Sequence, residues 1–274
     1  MERNADSIRK QAASRVPKRR AASSTPKSAI AATAGKPKAA KKTPNSANPP
    51  PKEIAAPPTS PTVPVPAELH LTDVAIMRGS RVIQQGVNHQ MKSGQMTLLT
   101  GPNGSGKSSL LRAISGRLTT VRGSITCTAP ILYIGHQDGV SGTLSGRQNL
   151  LSWAGMNEIE DAKDKAEAAI DKMNANNFAD LPTRVLSRGQ RRRFALARLC
   201  LGPANAIWLL DEPSVGLDID TMHVLDTLIS AHLGSGGMVM AATHLPLAPY
   251  ARPQVLALND TSSDDSQTTK SGAS

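Results

Sequence analysis

Two short stretches of this 274-residue chain carry side chains whose types and spacing could handle a phosphate. In "LLTGPNGSGKSSLL" (98–111), Gly101 is followed by four residues and then Gly106, Lys107 and Ser108. This spacing lets backbone N–H groups turn inward on an anion, with Lys107 to reach terminal phosphates and Ser108 to ligate a divalent cation. Glycines at 101, 104 and 106 free the backbone for that turn, and Pro102, Asn103, Ser105 and Ser109 complete the loop. The second stretch, "AIWLLDEP" (206–213), supplies adjacent carboxylates. Asp211 is placed for the shell of a Mg2+ ion and Glu212 to orient or deprotonate an attacking water.

Such residues need elements that bring them together. "MTLLT" (96–100), "AIWLL" (206–210), "MVMAA" (238–242) and "VLAL" (255–258) read as buried strands, and Leu69, Leu71, Val74 and Ile76 as an edge strand. Leu110, Leu111 and Ile114 share one face of a helix after the glycine-rich loop. Ile159, Ala162, Ala166, Ala169, Ile170 and Met173 repeat at helical spacing. Strands alternating with helices predict an α/β fold around a largely parallel sheet.

Composition divides the chain. Residues 1–67 hold 12 of its 20 prolines, no aromatic side chain, and 13 Lys and Arg against three acids, so nearly all of the net charge of +11 lies there. A segment so poor in large apolar groups is expected to be a disordered tail. A solubilising extension is the favoured role, a basic arm for nucleic acid or anionic lipid the rival, and a mitochondrial transit peptide a third option. The folded domain is expected over 68–260 and a polar tail over 261–274. No run of about 18 apolar residues is present, so any membrane role is peripheral. Cys127 and Cys200 match no metal-ligand spacing and read as small apolar residues in a reducing compartment.

A third motif, "LSRGQRRRFALARL" (186–199), resembles the signature of ATP-binding-cassette (ABC) ATPases. The resemblance implies a P-loop nucleotide-binding domain with a RecA-like mixed sheet core, an antiparallel β subdomain and a short helical subdomain. It implies ATP and Mg2+ as cofactors. It also implies a head-to-tail homodimer in which Ser187, Gly189 and Gln190 of one copy cap the γ-phosphate held by the other. "EPSVGLD", ending at Asp218, is similar to the family's D-loop, and His244 in "AATHLPL" to its switch histidine. Lys107, Glu212 and His244 are then the catalytic set. Arg191, Arg192 and Arg193 are expected to form a solvated helix face.

"ILYIGHQDGV" (131–140) lies where the family has a nucleotide-sensing Gln that also touches the metal. Counting back from "LSGRQNL" (144–150), where Gln148 replaces the usual Glu, puts that position on His136. A shift of one residue restores Gln137, and both remain open. The family's aromatic adenine platform is missing from "VAIMRGSRVI" (74–83), leaving Arg78 or Arg81 to stack on the base.

These features together resemble the ATP-binding subunits of haem exporters in cytochrome c maturation, over about residues 68–258. The implied partners are a second copy and a polytopic membrane permease received by the segment 139–181, with Trp153 a contact or a packing residue. Haem is the cargo and is not bound by this chain. The implied place is the cytoplasmic face of a bacterial inner membrane, the mitochondrial matrix side being the lesser alternative. An ABC ATPase for another small solute is the alternative function. No nucleic-acid partner is expected, because the non-transport ABC proteins carry paired cassettes or long coiled coils.

Overall fold

The computed structural model describes residues 67–249 and 251–259; the expectations for the N-terminal basic tail and for 261–274 lie outside them. Two sheets divide the work. Strands β1 (Glu68–Arg78), β2 (Arg81–Lys92) and β4 (Thr120–Cys127) form an antiparallel sheet in the order β2-β1-β4. Strands β3 (Met96–Thr100), β5 (Ile131–Ile134), β6 (Ile207–Asp211), β7 (Met238–Ala242) and β8 (Gln254–Ala257) form a parallel sheet in the order β5-β6-β7-β3-β8.

The inner parallel strands are continuous apolar runs because both faces are covered, whereas β8, expected to be buried, is a mostly exposed edge strand. Every residue of β6 and β7 is buried. Successive side chains point to opposite faces. Trp208, Leu210, Val239 and Ala241 therefore join one core, while Ile207, Leu209, Met238, Met240 and Ala242 join the other. The first core packs under α2 (Gly146–Met156), α3 (Ala162–Lys172) and α4 (Arg188–Ala197). The second packs between α1 (Lys107–Ile114) and the antiparallel sheet. Helix α5 (Ile219–Gly234) leads into β7.

A second expectation is corrected here. The strand through Leu69 and Ile76 is not an edge but the centre of its sheet, paired on both sides by β2 and β4. Those partners are mostly polar and exposed, so their apolar alternation is too weak to announce them. The pairing is interrupted near Asp73, where Gly123 (φ +79°) faces the Thr72 and Asp73 carbonyls; a Cβ there would sit 2.3 Å from each oxygen.

Both helices that begin the helical subdomain's key segments start with reciprocal caps. Ser145 Oγ accepts from Gln148 N (3.2 Å) while Ser145 N donates to Gln148 Oε1 (2.9 Å). Gln148 thus performs the capping that a Glu would. Ser187 and Gln190 repeat the arrangement at the start of α4.

Candidate active site

All five parallel strands point the same way, so the segments following them gather at one end of the sheet. The loop after β3 is built on left-handed glycines. Gly101 has φ +136°, and a Cβ on it would lie 2.3 Å from the Leu258 carbonyl oxygen and 2.8 Å from Ser105 Oγ. Gly106 (φ +92°) begins α1, against the side chain of Ile83. Within this loop Lys107 is buried, its ammonium donating to the carbonyls of Gly101 (2.7 Å) and Pro102 (2.9 Å).

The end of β6 stands opposite. Ser108 Oγ donates to Asp211 Oδ1 at 2.8 Å. Asp211 is 1% exposed, and its other oxygen, Oδ2, has no hydrogen-bond partner among the described residues. A buried carboxylate oxygen with nothing to satisfy it, beside a hydroxyl, fits a hard divalent cation. Next in the chain, Glu212 occupies the left-handed region (φ +49°), a conformation that costs a side-chain-bearing residue about 1–2 kcal/mol. Its amide donates to the Ala242 carbonyl at 2.8 Å, anchoring it to the end of β7. From there its carboxylate reaches within 3.5 Å of His244 Nε2.

These groups line a cleft of about 320 Å3. It gathers Arg78, Asn103, Gly104, Gly106, Lys107, Ser108, Ser109, His136, Asp211, Glu212 and His244. Of the two residues left open at the end of β5, His136 faces this cleft. Gln137 lines a second cavity of about 510 Å3 together with Arg112, Tyr133, Asp138, Trp153 and Arg198, and His136 stands between the two, lining both. The histidine belongs to no cluster of three or more metal-binding side chains among the described residues.

Ser187, Gly189 and Gln190 do not line this cleft. They stand at the start of α4, where Gly189 packs against the D-loop so closely that a Cβ would lie 2.4 Å from the Gly216 oxygen. Gln190 spends its side chain on the Ser187 amide.

The three arginines of α4 overturn the expectation of a solvated face. Arg192 is 3% exposed, with five polar contacts to Gly135, Asp138, Asp211, Glu212 and Pro213. Burial pulls its pKa below the usual arginine value, and the Asp138 carboxylate opposes that shift. Arg193 binds the Asn174 carbonyl (2.8 Å) and Asp218 Oδ2 (2.5 Å), and Arg191 the Leu186 carbonyl (2.5 Å). A sequence signal existed: Arg192 lies three, four and seven residues before the buried Ala195, Leu196 and Leu199, hence on the apolar side of the helix. Gln84 was also missed. Buried on β2, it donates to the Ser105 and Asn259 carbonyls at 2.6 Å each and braces the phosphate loop from behind.

Known proteins resemble this chain. The family model for ABC transporters matches residues 84–215. A Gluconobacter oxydans protein named cytochrome c biogenesis ATP-binding export protein CcmA is 39% identical over 197 residues, covering 71% of this chain and 90% of its own length. The chain belongs to the ABC transporter ATP-binding family. A Paracoccus denitrificans protein with the same name as the Gluconobacter one is also 39% identical, over 180 residues, 65% of this chain and 83% of that protein. An ATP-binding cassette solved as a dimer in a post-hydrolysis state with ADP and Pi superposes with a TM-score of 0.61 at 22% identity, over 70% of this chain and 96% of that one, and shares the fold. As an ABC cassette, the chain binds ATP and hydrolyses it. No helix among the described residues is long and apolar enough to cross a membrane.

Proposed function

We propose that this cassette energises an exporter of cytochrome c biogenesis, working as a head-to-tail homodimer beneath a polytopic membrane partner, with haem as the cargo. The supporting observation is the near-complete coverage of relatives named as cytochrome c biogenesis export proteins. In this reading the loop amides and Lys107 hold the β- and γ-phosphates of ATP. Ser108 and Asp211 would hold a Mg2+ ion, which supplies charge neutralisation on the phosphates when bound. Glu212 orients and deprotonates the attacking water, and His244, beside it, touches the γ-phosphate. His136 is the sensor at the end of β5. Arg78, at the rim of the cleft, stacks on the adenine.

Ser187 and Gly189 stand outside this chain's own cleft, so a second copy supplies them to each site. The membrane partner docks at the larger cavity, which Gln137, Asp138 and Trp153 line. The chain sits peripherally at the cytoplasmic face of the inner membrane.

The test is a covalent-haem stain of c-type cytochromes in cells whose sole copy is Glu212→Gln. Loss of the haem-stained bands, with the cytochrome polypeptides still made, is the expected result. Undiminished bands would assign the ATPase to another cargo.

A further inference from the structure

Arg192 is buried in α4 and lines neither the phosphate cleft nor the larger cavity, yet it is bonded to residues that line both. A guanidinium has five N–H donors in a fixed planar fork. Here five acceptors meet them. On one side, Nη1 donates to the Gly135 carbonyl (2.7 Å) and to Asp138 Oδ1 (3.2 Å), both in the loop that follows β5. On the other, Nη2 donates to the carbonyls of Asp211 and Glu212 (3.0 Å each), and Nε to that of Pro213 (3.3 Å).

The three carbonyls on the second side belong to consecutive residues around Glu212, whose backbone is held left-handed. A chain turning this way without glycine needs its surroundings to hold it. The guanidinium supplies part of that hold, and the Glu212 amide bond to Ala242 supplies the rest. Because the fork is rigid, the turn carrying Glu212 and the loop carrying Asp138 cannot shift independently while both stay bonded to it. Burying a charge this deeply is tolerated only when its partners are complete, so the loop and the turn are specified together.

We propose that Arg192 is a positioning residue that sets the Glu212 backbone for hydrolysis and makes that setting depend on the 135–138 loop at the wall of the larger cavity. The proposal rests on the assignment of Glu212 as the base. It adds a link through which contact at that cavity reaches the carboxylate.

The test uses the purified full chain and steady-state ATP hydrolysis of Arg192→Lys, Asp138→Ala, their double variant and Glu212→Gln. Lysine keeps the charge but cannot span both sets of acceptors. Arg192→Lys is expected to lower kcat by roughly 10-fold or more with the KM for ATP within about 3-fold, the signature of a misplaced reacting group. Asp138→Ala, remote from the phosphates, is expected to lower kcat about 3-fold at unchanged KM. The double variant is expected to be no worse than Arg192→Lys alone, because both changes cut one link. Wild-type kcat in both single variants, multiplying losses in the double, or a loss confined to KM would overturn the proposal.

Should Arg192→Lys not fold, Asp138→Ala decides. A lowered kcat with unaltered KM and thermal midpoint supports the link, and a wild-type kcat rejects it. If Glu212→Gln itself retains turnover, the base assignment falls and this proposal with it. If Glu212→Gln is inactive while the other variants behave as wild type, only the role of Arg192 is lost.

Discussion

The two sheets of this molecule, one of three long antiparallel strands and one of five short parallel ones, do different jobs. In the parallel sheet β5-β6-β7-β3-β8, each strand delivers its following residues to the same end, so His136, Asp211, Glu212, His244 and the phosphate loop converge. In the antiparallel sheet β2-β1-β4, neighbouring strands finish at opposite ends of the sheet. It contributes Arg78, at the end of β1, and Ile83, near the start of β2, to the cleft, and the brace Gln84 behind the loop. Chemistry is concentrated where strand polarity gathers side chains, and the second sheet supplies a wall.

That contrast can be broken by substitution. The largest effect is expected at the convergent end. Asp211→Asn removes the charge of the buried oxygen that has no partner, and should lower ATP hydrolysis by about 100-fold or more, as judged by phosphate release over a Mg2+ titration. Activity within a few-fold of wild type would show that the carboxylate is structural. At the antiparallel wall, Arg78→Ala should weaken ATP binding only about 2- to 5-fold and spare kcat, the scale of one exposed cation–π contact. Equilibrium binding of ATP to the two proteins measures this, and a loss in kcat would place Arg78 among the reacting groups.

The smallest effect concerns the opposite end of the parallel sheet, away from the phosphate cleft. There His232 stacks on Trp208 (ring centroids 3.7 Å apart, 7° between planes), with Nε2 2.9 Å from the Ala206 carbonyl oxygen. Burial lowers its pKa below 6.5, outweighing the carbonyl contacts that raise it. The unfolded chain therefore binds this proton more readily than the folded one. The histidine's share of stability is complete above about pH 6.5 and falls away as pH drops through the lowered folded value. Thermal midpoints from pH 7.5 to 5 should fall less in His232→Phe than in wild type; equal falls would exclude this histidine.

The same contrast governs what could be read from the sequence. The strands β3, β6 and β7 announce themselves because burial on both faces makes them continuous apolar runs, and the phosphate loop and Asp211-Glu212 are each contiguous in the chain. The strands β2 and β4 do not, because they are half-solvated and rich in polar residues. Arg192 was hidden for a different reason. Four of its five acceptors are backbone carbonyls, which every sequence possesses and none displays. Likewise, nothing in "GHQDG" distinguishes His136 from Gln137 until the loop is folded and one of them faces the cleft.

The most direct measurement is the rate of phosphate release by purified Glu212→Gln beside wild type, with ATP binding measured on the same samples. The account predicts retained binding and a turnover reduced by roughly 100-fold or more, the scale for losing a positioned general base. Retained binding with wild-type turnover would contradict it, because the residue held left-handed at the end of β6 would then have no part in the reaction.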